Sequence, residues 1–294
     1  MGTWEEVDWC QHYMKSWYAY PGMERRLYSA LTQSQDISNH QQFLCWLVHR
    51  FTASSGRKLR LIELGCGPTP SSNHLLRECG IHIASAVCID VSRELIDRAS
   101  AASESECATF RVLDMETISR DDFNGEQFDL CIAAHSIHHV LNLEPLFASI
   151  RQLLSADGLL WMNEYTGPRR MQFPEEALAL GNRFLATLPD SFRARLEGTS
   201  KDMLAPAVQD DPTEAVASDL ILPIFLRNFE PLRFLPYGTL SYMVFDEIAH
   251  NFRGQEAELL GQYVWEYEQR CFLDGTLRPW FTACIARPWR NSEI

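Results

Sequence analysis

The sequence predicts an α/β fold, a mostly parallel sheet flanked by helices, and three features predict it. Residues Leu59 to Pro70, LRLIELGCGPTP, run from a short apolar stretch straight into a Gly-x-Gly turn. Two further apolar stretches, Ala86-Val87-Cys88-Ile89 and Phe110-Arg111-Val112-Leu113, close on Asp90 and Asp114. Segments with helical spacing separate them, the alternation expected of parallel strands joined by crossover helices.

The first stretch carries the most chemistry. Leu59, Leu61, Ile62 and Leu64 have the composition of a strand buried on both faces. Glu63 lies inside that run, where an unpaired charge is costly, so it is expected to meet a cationic or donor-rich ligand. Gly65 and Gly67 allow a sharp turn and bring bare backbone N–H groups against a ligand. Gly-x-Gly alone is equally a plain strand-to-helix turn. Asp90 narrows the reading, because it follows the first glycine by about 25 residues, near the place where a carboxylate holds a ribose diol. Three acidic residues associated with three consecutive strands make a narrower pattern than one glycine turn.

Taken in order, ELGCG, CIDVS, VLDME and FDLCIAAHSIHHV resemble the successive motifs of class I S-adenosylmethionine-dependent methyltransferases, over roughly Leu59 to Glu164. The resemblance implies a Rossmann-like, seven-stranded, mostly parallel sheet with a reversed last strand. It also implies a helical cap inserted between strands five and six. S-adenosyl-L-methionine is the implied cofactor, held by Glu63, Gly65, Cys66, Gly67, Asp90, Val91, Asp114, Met115, Ala134 and His135. Asp114 would receive the adenine amino group and Met115 would lie against the ring, although Met115 also reads as ordinary core. The chain departs from the family where a third glycine is common: Pro68, Thr69 and Pro70 stand there, which stiffens the loop.

Composition narrows the partners. The 294 residues, 46% of them hydrophobic, can bury a full core. A net charge of -13, with 26 Lys and Arg spread along the chain, argues against nucleic acid, since phosphate binding needs concentrated positive charge. Nine scattered cysteines include no CxxC pair; Cys88, Cys131 and Cys284 read as small core residues. The acidic start, MGTWEEVDW, has no export signal, and no stretch is long enough to span a bilayer, so a cytoplasmic, membrane-free protein is expected. Association into a homo-oligomer is left open.

Along the chain, residues 1–55 are expected to form leading helices. Tyr13, Trp17, Tyr18 and Tyr20 crowd before the Pro21-Gly22 turn, and Ser38 is the expected cap of an amphipathic helix to Arg50. Residues 56–168 hold the cofactor-binding core. Its helices are expected at Ser71 to Glu78, Ser92 to Ser103 and Leu146 to Leu154, its fourth strand at Phe128 to Ala133 and its fifth at Leu159 to Asn163. Residues 169–230 read as the cap, with helices at Pro174 to Leu188 and Ser191 to Leu196 and a helix start at Asp211-Pro212-Thr213-Glu214. Residues 231–294 complete the sheet: strand six from Leu232 to Phe245 with a bend at Gly238, a helix from Glu256 to Arg270, and a last strand from Trp280 to Ala286.

Methyl transfer needs in-line placement of a nucleophile, helped by a general base when the acceptor carries a proton. His135, His138 and His139 follow strand four, at the edge where such a base belongs. His139, Glu164 and Tyr165 are the catalytic candidates; a structural reading, in which His139 anchors a turn, stands beside the catalytic one. Arg169 is a weaker candidate for an anion contact. Three histidines in five residues also invite a metal, against which the sequence shows no carboxylate at ligand spacing nearby, so no metal is expected. The expected function is methylation of a small molecule, of natural-product or glycan-linked type. An NAD(P)-dependent oxidoreductase is the rival, disfavoured by Pro70 and Glu63. A methyltransferase fold turned to another reaction remains a third reading, since fold does not fix function.

Overall fold

Leu59 and Leu61 pack on one side of the first strand and Ile62 and Leu64 on the other, so β1 (Leu59–Leu64) divides two hydrophobic cores. In the computed structural model, which describes residues 22–193, 211–248, 251 and 254–289, seven strands form one sheet in the order β3-β2-β1-β4-β5-β7-β6. The others are β2 (Ile83–Asp90), β3 (Ala108–Val112), β4 (Phe128–Ala134), β5 (Leu154–Tyr165), β6 (Phe229–Tyr237) and β7 (Phe281–Pro288). Strands β1 to β5 pair in parallel, while β7 runs antiparallel to both β5 and β6. A buried parallel centre with one reversed strand is the architecture expected from the motifs.

Helices cover both faces. On one lie α1 (Met23–Thr32) and α2 (His40–Ser55), whose Tyr28 and Phe43 pack on Trp161 of β5. Helices α3 (Ser71–Cys79) and α4 (Arg93–Ala101) cross between the first three strands, and α5 (Leu143–Leu153) leads into β5. Between β5 and β6 the described chain forms α6 (Glu175–Ala186) and α7 (Ser218–Asn228). Helices α8 (Leu240–Ile248) and α9 (Gly254–Asp274) precede β7. Tyr13, Trp17, Tyr18 and Tyr20 lie outside the described residues, as does the expected Ser191 to Leu196 helix beyond Arg193; Asp190–Phe192 form a short 3-10 turn.

Three expectations are corrected. Strand six ends at Tyr237, and Leu240 starts a helix. Leu240, Met243, Val244 and Ile248 are all buried at helical spacing, and Gly238, at φ +70, turns the chain between strand and helix. Pro231 and Pro236 are tolerated in β6 because it is the sheet's edge strand. The cap of α2 is Asn39, whose side chain accepts from the Gln42 N–H, while Ser38 bonds the Gln42 side chain. Strand β5 also begins earlier than expected, at Leu154 directly after α5. Ser92, by contrast, caps α4 as its sequence predicts.

Two buried acids tie elements together. Asp129, at the start of β4, is fully buried and accepts from the Arg60 N–H at 3.0 Å and the Ser155 hydroxyl at 2.8 Å, with the Arg57 guanidinium at 2.6 Å. Glu268 of α9 is likewise fully buried and accepts from the Thr239 and Ser241 N–H groups, which open α8.

Candidate active site

The carboxyl ends of β1, β2 and β4 meet at a glycine turn. Gly65 and Gly67 hold φ of +63 and +60. A Cβ on Gly65 would lie 2.4 Å from the Ser136 Cβ and 3.0 Å from the Met115 Cε, so the turn closes against two neighbouring strand ends with no room for a side chain. Asp90, at the tip of β2, accepts from the Gly67 N–H at 3.0 Å and the Ser92 N–H at 2.9 Å. Burial raises its carboxyl above the ordinary value. Val91 follows half-buried, and Met115 lies beside the turn. Asp114 is exposed two residues beyond β3, with one carboxylate oxygen accepting from the Glu116 N–H at 2.9 Å.

Glu63 takes a different part from the one expected. Its two oxygens accept from the Ser71 and Ser72 N–H groups at 2.9 and 2.8 Å, so it caps α3 from within the sheet. Pro70 stands at the cap position and offers no side-chain acceptor, which leaves those donors for Glu63. The carboxylate therefore shapes the loop below the ligand edge. The Cys66 thiol is buried against Cys88 and pushed far up in pKa, which makes it inert packing, while its N–H bonds the Ile89 carbonyl.

The second half of the site is organised by Glu164, at the end of β5. It is fully buried; one oxygen accepts from the Ser136 and Ile137 N–H groups and the other meets His138 Nδ1 at 2.8 Å. Burial opposes its ionisation, and the His138 charge more than offsets that, so its pKa lies below the ordinary value. Burial likewise opposes charging of His138, but Glu164 and Glu214 lift it to about 9. Glu164, expected to face the substrate directly, instead holds the turn after β4 and fixes one face of His138.

Ala134 leads into that turn half-buried, and His135 takes a left-handed φ of +54 there. Its Nε2 accepts from the Asn163 amide at 3.2 Å, and burial, with the His138 charge adding, drives its pKa down to about 4. Asn163 in turn accepts from the Tyr237 hydroxyl at 2.6 Å. Tyr165 is turned into the core: it is 1% exposed, its hydroxyl donates to the Pro168 carbonyl, and its ring packs on Tyr242 and Phe281. That placement removes it from the edge where the sequence puts it. Arg169 pairs with Asp219 on the surface.

The expectation that no carboxylate stands near the histidines is also corrected. Residues 211–217, far downstream in the chain, fold back onto them. The Arg170 guanidinium donates to the Asp211 and Glu214 carbonyls, the Val216 N–H donates to the His138 carbonyl, and Ser218 bonds the Gly167 carbonyl. Glu214 reaches within 3.6 Å of His138 Nε2 and 3.9 Å of His139 Nε2, while His139 Nδ1 meets the Thr213 hydroxyl at 3.1 Å. Sequence reasoning misses Asn163, Asp211 and Glu214 as site residues. Only the helix-start pattern at Asp211 marks the last two, and it carries no sign of where the segment packs.

The reversed β7, the glycine turn and the acids at the strand tips define a Rossmann-like α/β fold whose ligand edge lies at the carboxyl ends of the strands. Residues 62–162 match the family model described as a methyltransferase domain, over the same stretch that carries the ordered motifs. Among curated proteins it is similar to the non-reducing polyketide synthase Preu3 of Preussia isomera, 32% identical over 114 residues, 37% of this chain and 4% of that one. It is also similar to the highly reducing polyketide synthase aurA of Calcarisporium arbuscula, 28% identical over 118 residues, 39% of this chain and 5% of that one. The chain thus spans only a small part of these relatives. Among solved structures, the N-methyltransferase NodS from Bradyrhizobium japonicum aligns at 13% identity and TM-score 0.42, covering 84% of this chain and 95% of that one. StiE O-MT, residues 961–1257, aligns at 12% identity and TM-score 0.47, covering 87% and 77%. Among the described residues no helix is long and apolar enough to cross a membrane.

Proposed function

We propose that this chain methylates a small polyketide-like molecule at a carbon or oxygen whose proton is removed by His138. The observation that carries the reading is the Glu164–His138 contact of 2.8 Å at the carboxyl edge, beside the glycine turn. S-adenosyl-L-methionine, when bound, supplies an electrophilic methyl group. The residues at the strand tips suit it: the Gly65 cradle admits backbone but no side chain, Asp90 has acceptor capacity left for a diol, and Asp114 is exposed for an amino group.

In this reading Glu164 fixes the ring of His138 through Nδ1 and leaves Nε2 for the acceptor. With both ring nitrogens protonated, the Nε2 proton must leave before the imidazole can accept another; Glu214, 3.6 Å from Nε2, favours the charged ring by its own charge. His138 then takes the acceptor's proton, which would leave on the acceptor the electron pair that receives the methyl group the bound cofactor would supply. His139, bonded to Thr213, acts as a wall of the same pocket. A β-carbonyl acceptor is favoured because the matched relatives are polyketide synthases, and a carbon acid needs such a base.

The test is incubation with S-adenosyl-L-methionine and a β-ketothioester, followed by mass spectrometry. The reading expects S-adenosylhomocysteine and methylated product in equal amounts. His138→Gln is expected to slow turnover by roughly 10²–10⁴-fold with cofactor affinity little changed. Glu164→Gln is expected to lower turnover more than cofactor affinity. Tight cofactor binding with no methylated product from ketone, enol or phenol acceptors would sink the reading.

A further inference from the structure

Three carboxylates and two imidazoles share one enclosure where residues 211–217 cover the turn after β4. His138, Glu214 and Glu164 are 8%, 3% and 0% exposed. His138 and His139 stand side by side, ring centroids 4.3 Å apart, and one ligand atom from each of His138, His139 and Glu214 lies within 4.8 Å of the others. The Glu214 oxygens sit 3.6 Å from His138 Nε2 and 3.9 Å from His139 Nε2, too far for hydrogen bonds. Two ligands of one tetrahedral zinc ion lie roughly 3.3–3.5 Å apart, given metal–ligand bonds of about 2.0–2.2 Å. The two Glu214 gaps, one to each carboxylate oxygen, are a few tenths of an ångström wider than that, and the set of three as a whole, spread over as much as 4.8 Å, must draw in by side-chain rotation to close on one ion.

The far side of each imidazole is also prepared. His138 Nδ1 is held by Glu164 at 2.8 Å. His139 Nδ1 is held by the Thr213 hydroxyl at 3.1 Å, and that hydroxyl donates to Asp211 Oδ1 at 2.7 Å. A histidine whose Nδ1 is fixed by a carboxylate, or by a hydroxyl backed by one, presents Nε2 as a ligand in a set orientation. Asp211 Oδ2 is buried with no hydrogen-bond partner, 3.8 Å from His139 Nδ1, and a desolvated carboxylate oxygen in that state calls for added positive charge nearby.

We infer that His138 Nε2, His139 Nε2 and Glu214 form a binding site for a divalent cation of zinc type, one that joins the insertion after β5 to the end of β4. Two nitrogen ligands favour zinc or a neighbouring transition metal over magnesium or calcium, which take oxygen. A cation on Nε2 excludes a proton from it, so the loaded form would be closed to the proton transfer proposed above. The site itself rests on the side-chain positions and stands whether or not methyl transfer is the reaction.

The experiment is metal titration of the full chain with Zn²⁺ and Co²⁺, alongside Glu214→Gln and Thr213→Val, with S-adenosyl-L-methionine binding measured on each protein. The inference expects one ion per chain and a cobalt spectrum without the thiolate charge-transfer band that cysteine ligation would give. It expects affinity to fall at least tenfold in Glu214→Gln and roughly 10–100-fold in Thr213→Val, which removes only the outer partner of His139. Cofactor affinity should hold, which separates this site from the methyl-transfer reading. Equal metal affinity in all three proteins, a thiolate band, or no binding would overturn it. If Glu214→Gln fails to fold, Thr213→Val alone decides.

Discussion

Gly65 shows how little freedom the turn after β1 has. Its left-handed backbone, and the mere 2.4 Å that would separate an added methyl from the Ser136 Cβ, set two independent penalties on any side chain. Gly65→Ala is therefore expected to destabilise the fold by about 1–3 kcal/mol from backbone strain alone and to weaken cofactor binding, both readable by thermal melts with and without ligand. A variant as stable as the parent would mean the turn relaxes freely. Asp90 holds the Gly67 and Ser92 N–H groups at the tip of β2, where the proposed ribose would sit. Asp90→Ala is expected to cost on the order of 1–3 kcal/mol of cofactor binding, measured by calorimetry. Unchanged affinity would show that the carboxylate only props the loop. Glu63 marks the limit of residue-level reading: a charge inside an apolar run signals that something donor-rich is needed. The donors in this structure are the backbone N–H groups at the start of α3, just past a proline.

At the scale of elements, local pattern is legible wherever neighbours in sequence settle the outcome. The first four strands and the helices between them follow from apolar runs, caps and glycine turns. Strand six is overrun because Leu232 to Phe245 reads as one apolar stretch, and only the spacing of Leu240, Met243, Val244 and Ile248 separates helix from strand. Contacts across the sheet are not legible at all, and Asp129 is the clearest of them. Its carboxyl is held below its ordinary value: burial opposes ionisation, and the Arg57 guanidinium, the Arg60 N–H and the Ser155 hydroxyl outweigh it. A depressed folded pKa contributes stability above the unfolded value, about 3.9, and loses it as pH falls through the folded one. Acid titration of stability should show that loss in the parent. Asp129→Asn should be about 1–3 kcal/mol less stable at neutral pH and flatter toward acid, because the titrating group is gone. Equal acid slopes in the two proteins would assign the loss to another carboxylate.

For the molecule as a whole, the ordered motifs from Leu59 to Glu164 carry the parallel centre of the sheet and its glycine turn, because those features follow from one chain segment in sequence order; the reversed last strand, at Phe281–Pro288, is expected from the family resemblance and not from local spacing. The acceptor side does not follow. Glu214 and Asp211 reach the histidines only because Arg170, Val216 and Ser218 stitch residues 211–218 onto the edge of the sheet, and no local spacing encodes that return. Position alone favours His139, whereas the fold places His138 against the buried Glu164. The account stands on adenosyl recognition at the tips of β1 and β2 next to that histidine. Crystals of the chain grown with S-adenosylhomocysteine test this most directly. The ribose is predicted on Asp90, the adenine beside Asp114 and Met115, and the sulfur directed toward the His138 turn. Density for the ligand at another edge of the sheet, or a chain that binds none, would contradict it.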